Sequence, residues 1–191
     1  AGSSAELNSL ANTLTDRWQL TDDGIHWAVT DSHEDHLEFS GEKISAIIYY
    51  GSDKNGHLTL KRKLVWPMLR TIPNDTHASL IHDFDLSISP IIRLDNQLAQ
   101  PERLTHVNFN GVLSLKSKLN DNVTLERVLS PSTTHPVMVE KLTMVNHGNR
   151  PVLLSVEPLS YQFTTPKDQG VYGEYTILAT SDNSGTFTLE A

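Results

Sequence analysis

Hydrophobic and polar residues alternate along most of this chain. Between residues 57 and 66, mostly apolar side chains at even positions alternate with largely charged ones at odd positions. A period of two is typical of a strand that buries one face. A second β-rich run, residues 44–50, precedes it, and Asn55 and Gly56 between the runs favour the backbone angles of a tight turn. The pattern therefore predicts a β-hairpin.

Similar runs recur at the spacing expected of an all-β domain. They predict strands at residues 25–30, 78–84, 103–109, 112–119, 123–129, 137–145, 152–158 and 175–180. One amphipathic helix is predicted at residues 5–14, behind a possible Ser4 cap. Residues 86–102 are expected to form one long irregular connection. We therefore predict an all-β fold, a two-sheet antiparallel β-sandwich with one short N-terminal helix.

The chain carries no internal repeat, low-complexity tract or linker, so we predict a single β-sandwich domain over residues 1–191. The first five residues are small and polar, and residues 186–191 still alternate like a strand. From these two ends we expect the domain to be a fragment of a longer protein.

Composition narrows the classes of partner and chemistry. The 191 residues carry 23 acidic and 15 basic side chains, a formal net charge of −8. A field of that sign repels phosphate backbones and anionic lipids, so neither nucleic acid nor a membrane is expected as a partner. No cysteine is present, which removes thiol catalysis, Cys-ligated zinc and disulfides. We expect no cofactor, and neutral ligands such as sugars remain open.

Residues 33–36 (His-Glu-Asp-His) form the first cluster to consider as a metal site. In a strand, His33 and His36 would point to opposite faces, and no third ligand is evident. We therefore predict no metal site, and we interpret this cluster as a polar loop leading into the strand at residues 37–39.

Catalysis within the chain is also not predicted. Glycoside hydrolysis needs two carboxylates at a set separation, and strand carboxylates are usually solvated on an outer face. The candidates are Glu38, Glu42, Asp83, Asp85, Glu126, Glu140 and Glu157. No Gly-x-Ser-x-Gly elbow or glycine-rich phosphate loop occurs.

Trp66 and the loop that follows it are the candidate carbohydrate or interface residues. Sugars stack on flat aromatic rings, but the pattern favours the core for Trp27 and the core or a domain interface for Trp66. The other candidates near Trp66 are Arg70, Asn74, Asp75 and His77. Two interpretations of this loop stay open: it reaches toward the active site of a neighbouring domain, or Arg70 merely pairs with Asp75 or a carbonyl.

Two stretches, residues 125–146 and residues 150–157, resemble a known family. Residues 125–132 (LERVLSPS) lead into residues 136–146 (PVMVEKLTMVN), and residues 150–157 (RPVLLSVE) follow. This order is similar to the V-x-V-E…L-T-x-x-N and R-P-V pattern in the N-terminal β-sandwich of six-hairpin glycosidases. Those enzymes have an (α/α)6 barrel and include α-L-rhamnosidase-like and glycogen-debranching-like members.

The resemblance implies a non-catalytic accessory domain that packs on the (α/α)6 barrel of a bacterial glycoside hydrolase in the same polypeptide and helps to shape its active site. In that family the catalytic carboxylates lie mainly in the barrel, so no catalytic residue is carried over. The resemblance further implies a periplasmic or secreted location. Two alternatives remain: an independent carbohydrate-binding module, and a structural adhesion or assembly module of a cell-surface protein.

Overall fold

The computed structural model describes residues 16–72, 78–171 and 173–191, and within these residues all regular secondary structure is antiparallel β-strand. The prediction of an all-β fold is confirmed. The predicted helix at residues 5–14 lies outside the described residues.

Two larger sheets make up most of the fold. The strands of the six-stranded sheet, in spatial order, are β1 (Gln19–Thr21), β2 (Gly24–Ala28), β9 (Arg103–Phe109), β10 (Leu113–Lys118), β11 (Val123–Pro131) and β12 (Met138–Asn146). The strands of the first four-stranded sheet are β3 (His33–Ser40), β4 (Ser45–Ser52), β5 (Leu58–Thr71) and β6 (Ala78–Asp85). The predicted hairpin at residues 44–66 is the β4–β5 pair of this first four-stranded sheet.

Two smaller sheets complete the described residues. A second four-stranded sheet contains β16 (Gly185–Leu189), β13 (Val152–Val156), β7 (Ile92–Leu94) and β8 (Gln97–Leu98). A hairpin of β14 (Ser160–Thr164) and β15 (Thr176–Thr180) forms a sheet of its own. The prediction that residues 86–102 are irregular is therefore wrong, because β7 and β8 lie within them. These strands are too short to leave a clear alternation in the sequence.

The main core lies between the inner faces of the two larger sheets. Residues of both sheets, including Trp27, Ile48, Leu64 and Leu115, belong to one buried apolar cluster. A second cluster lies where the smaller four-stranded sheet meets β11, and it includes Leu94, Val123, Leu125 and Leu154. Burial of apolar area contributes roughly 25 cal/mol per Å² and is the main stabilising term. The architecture is consistent with the predicted sandwich.

Four charged side chains cross the main core and connect the two larger sheets. Arg62 on β5 donates from Nε to Glu140 Oε2 on β12 at 2.9 Å. On the other side of Glu140, Arg127 on β11 donates from Nη1 to Oε1 at 2.7 Å. Arg127 also pairs with Glu102, which precedes β9. We name this set of Arg62, Glu102, Arg127 and Glu140 the inter-sheet charge network.

Neutral groups satisfy the remaining donors and acceptors of the network. Ser117 Oγ donates to Glu102 Oε2 at 2.8 Å, and Arg62 Nη1 donates to the carbonyl of Asp85 at 3.0 Å. The Arg127 side chain is only 3% exposed. Burial alone would lower the Arg127 pKa, but hydrogen bonds and charge from Glu102 and Glu140 outweigh it and raise the pKa above its ordinary value. The guanidinium therefore stays charged inside the core.

The β14–β15 hairpin packs beside β6 through His82. His82 Nε2 lies 2.9 Å from the hydroxyl of Tyr161, and its ring centroid is 4.7 Å from that of Phe163. Ile177 of β15 is buried in the main core. Burial lowers the His82 pKa below its ordinary value, although the nearby Asp83 carboxylate opposes this. The fold therefore favours neutral His82.

Replacing Arg127 with Met is expected to lower the free energy of unfolding by about 3–5 kcal/mol, because it leaves Glu102 without its arginine and Glu140 with Arg62 alone. Urea denaturation of the purified chain measures this loss. Lys116→Met is the matched control, since Lys116 on the same sheet pairs with Glu126 in solvent at 3.8 Å. That variant should lose at most about 1 kcal/mol. Equal losses in the two variants would contradict a structural role of the network.

Acidification is expected to destabilise the fold partly through His82. The unfolded chain binds a proton on this imidazole near pH 6.5, whereas burial makes the folded chain resist protonation. The stability that neutral His82 contributes is therefore fully present above about pH 6.5 and is lost as the pH falls below that value. Urea midpoints at about pH 7.5 and pH 5 measure the effect, and His82→Asn should reduce the difference between them. His135→Asn, in an exposed loop, should not reduce the difference; a reduction as large as that of His82→Asn would contradict this assignment.

Candidate functional site

Trp66 lies in the core and offers no exposed ring face. It is 8% exposed, and its indole N–H donates to the carbonyl of Pro136 at 2.9 Å. This bond ties β5 to the segment that leads into β12. The preference for a core or interface position over a sugar platform agrees with this burial. Trp27 is 2% exposed, as expected of a core residue.

Arg70 is half-buried at the far end of β5. One of its guanidinium nitrogens, Nη1, lies 3.4 Å from Ser79 Oγ. Its carbonyl accepts the backbone N–H of Val171 at 3.1 Å and the hydroxyl of Tyr175 at 2.8 Å. The structure thus brings Arg70 together with residues that come about a hundred positions later. The other candidates of this loop, Asn74, Asp75 and His77, lie outside the described residues.

The cluster at residues 33–36 lies within β3, so the prediction of a polar loop there is wrong. His33 faces inward, with its ring centroid 5.6 Å from that of Trp27, and His36 faces outward beside Tyr49. Opposite orientation of the two imidazoles agrees with the expectation from strand geometry. Among the described residues, no group of three or more side chains is placed to hold a metal ion.

One of the strand carboxylates is placed differently from the prediction. Glu140 is not solvated on an outer face but lies between the sheets, 17% exposed, with both oxygens bound to arginine side chains. The alternation of β12 does place it on the inner face, yet its partners come from β5 and β11, which the sequence of β12 cannot reveal. A carboxylate so engaged is not available as a general acid or base.

Exposed apolar side chains lie where β5 and β6 change register. The pairing shifts between Trp66 and Arg70, so residues 67–69 form a bulge. Met68 within the bulge is 74% exposed, and Ile81 across from Val65 is 51% exposed. Ile72, just beyond Arg70, is 38% exposed. We name Met68, Ile72 and Ile81 the bulge patch. Single exposed apolar residues are ordinary, whereas several at one end of a strand pair indicate a contact surface.

A polar cleft of about 360 Å³ lies at the opposite end of the β4–β5 hairpin. Its lining comes from residues 29–32, 52–56 and 103–105. Residues 53–56 form the turn, where Gly56 has a φ of +80°. Asp53 closes this turn because its Oδ1 accepts the backbone N–H groups of Asn55 at 2.8 Å and His57 at 2.9 Å. These two bonds, that of His57 above all, lower the Asp53 pKa.

Sequence reasoning identified the turn of this cleft but not the cleft itself. Asn55 and Gly56 are visible as turn residues, and the structure confirms the turn. The other walls come from residues 29–32 and from Arg103, which the antiparallel bridge between His57 and Arg103 brings to the turn. Arg103 at the start of a predicted strand carried no signal beyond its charge. The cleft therefore lies outside what the sequence pattern could indicate.

Within the described residues there is no helix of the length and apolarity that a membrane span requires. Comparison with known proteins adds no relative: no family model, no curated protein and no solved structure matches this chain.

Proposed function

We propose that this chain is a non-catalytic β-sandwich accessory domain of a glycoside hydrolase, which packs on an (α/α)6 catalytic barrel of the same polypeptide and helps to shape its active site. The observation that carries the docking part of the proposal is the bulge patch, whose apolar side chains are exposed around the irregularity in the β5–β6 pairing. The carbohydrate part rests on the resemblance of residues 125–157 to six-hairpin glycosidases.

The position of the bulge patch supports a docking role. Met68 lies between Trp66, which is held in place by its bond to Pro136, and Arg70, which is hydrogen-bonded on several sides. Exposed apolar groups on a rigid support need little ordering when they bind, so less of the interaction energy is lost. A bulge also turns side chains out of the regular pleat, where a partner can contact them.

The chemistry of the core supports a non-catalytic role. The carboxylates of the inter-sheet charge network bind arginine side chains inside the core. Glycoside hydrolysis needs two carboxylates that flank a bound sugar. The catalytic pair of the proposed enzyme is therefore sought in the barrel. Burial of Trp66 removes the aromatic platform that the alternative of a carbohydrate-binding module would have used there.

The first test is the intact mass of the native gene product, detected with an antibody to this domain. The proposal expects a product several hundred residues longer than this chain, with a helical region that carries two carboxylates and hydrolyses glycosides. A native product that ends close to residue 191 would refute the proposal. Fractionation of the same cells tests the proposed periplasmic or secreted location.

Charges placed in the bulge patch should weaken the docking of the two domains. In the full-length product, Met68→Asp with Ile81→Lys is expected to cost about 2 kcal/mol or more of inter-domain stability, because charged groups would be buried against an apolar partner. Thermal unfolding should then separate into two transitions, and limited proteolysis should cleave between the domains sooner.

Val139→Asp is the matched control for this experiment. Val139 is 54% exposed on β12 of the other large sheet, and surface changes of this kind usually alter stability by no more than about 0.5 kcal/mol. The control should keep the wild-type unfolding and cleavage patterns. If the double variant behaves like the control, the bulge patch is not the docking surface.

A further inference from the structure

The polar cleft at the turn of the β4–β5 hairpin has the shape and chemistry of a binding site for a small ligand. Its volume of about 360 Å³ falls within the roughly 300–1,000 Å³ of typical ligand sites. Val29 and Leu104 give it an apolar wall, and the remaining lining is polar or charged. It lies at the opposite end of β5 from the bulge patch, so it is independent of the proposed docking surface.

Two cations, Lys54 and Arg103, line the cleft together with the carboxylates of Asp31 and Asp53. Among the described residues, neither Lys54 nor Arg103 forms an ion pair. The two carboxylates of the cleft have partners of their own: Asp31 pairs with Arg17, and Asp53 accepts the two amides of its own turn. Lys54 also acts on the charge of Asp53, so Arg103 is the cation that the cleft presents most freely to an anionic ligand.

The guanidinium of Arg103 lies against the backbone of Gly56. A Cβ atom at this glycine would come within 2.4 Å of Arg103 Nη1, so the guanidinium occupies space that a side chain at position 56 would fill. The backbone supports the same contact, since the N–H of Leu104 donates to the Gly56 carbonyl at 3.2 Å. These contacts bring Arg103 to the turn, and its planar group matches a carboxylate in a bidentate geometry.

We propose that this cleft binds an acidic sugar, with the ring carboxylate of a uronate held by Arg103 and Lys54. The remaining polar groups suit the hydroxyls of a sugar ring. Thr30 and Asn55 are among the lining residues, and the carboxylates of Asp31 and Asp53 keep lone pairs that can accept hydroxyl protons. Val29 and Leu104 face the apolar edge of the ring. This inference rests on the cleft alone and stands whether or not the proposed accessory role is correct.

The net charge of the chain argues for a small ligand with a single acidic group. A formal charge of −8 repels a polyanion over long range, whereas one carboxylate pairs locally with two cations inside the cleft. An inorganic oxyanion would use only the cations and leave the hydroxyl-matching groups unused. A uronate uses both sets.

The test is a titration of the chain followed by amide chemical shifts in ¹H–¹⁵N spectra. The probes are D-glucuronate and D-galacturonate, their neutral counterparts D-glucose and D-galactose, and inorganic phosphate. We expect saturable shifts at residues 29–32, 53–56 and 103–105 with at least one uronate. Neutral sugars should bind at least tenfold more weakly, and added salt should weaken uronate binding because it screens the charges.

Variants identify the groups responsible. Arg103→Gln should weaken uronate binding by about tenfold or more, the effect of losing a charge-assisted hydrogen bond. Lys54→Gln should weaken it as well. Lys141→Gln is the charge-matched control, because Lys141 is an exposed cation on β12. The affinity of this variant for uronate should change less than twofold. Spectra of each free variant show that the fold is intact.

Three outcomes would overturn the proposal. The first is the absence of saturable shifts in the cleft with either uronate. The second is equal binding of phosphate and uronate, which would make the cleft a simple oxyanion site. The third is an equal loss of uronate affinity in Lys141→Gln and Arg103→Gln, which would show that the loss comes from the net charge of the chain.

Discussion

The two larger sheets are held in one relative position by a carboxylate that two arginines share. Glu140 on β12 receives Arg62 from β5 of the opposite sheet and Arg127 from the neighbouring strand β11. Apolar contacts tolerate small sliding between sheets, but hydrogen-bonded charges in a core do not, because any displacement leaves a buried charge without its partner. The cleft has walls from both of these sheets, so its shape depends on their relative position.

The charge network also explains the limit of what alternation can predict. The period of two placed Arg62 on the apolar face of its strand, and the structure agrees. The same logic assigns Glu140 to the inner face of β12. Yet a pattern within one strand identifies the face of a side chain and not what lies opposite. Arg62 and Glu140 are 78 positions apart, so their pairing depends on how the sheets stack, which strand periodicity does not encode.

The same distinction separates the elements that the sequence predicted from those it did not. Long strands with clear alternation, such as β9 and β11, were predicted with nearly the observed bounds. The short strands β7 and β8 were missed, because two or three residues cannot show a period. Of the candidate site, only the turn at Asn55 and Gly56 was visible. Arg103 reaches it through the long-range bridge between His57 and Arg103.

Strand β5 connects the two surfaces that we propose to be functional. The cleft lies beside its first residue, Leu58, and the bulge patch begins at Met68, ten residues further on. At about 3.3 Å per residue, the two surfaces are roughly 30 Å apart. Arg62 anchors the strand between them to the opposite sheet, so neither end can shift freely in response to the other. A ligand in the cleft therefore has no direct contact with a partner docked at the bulge, and binding at one surface should leave the affinity of the other unchanged.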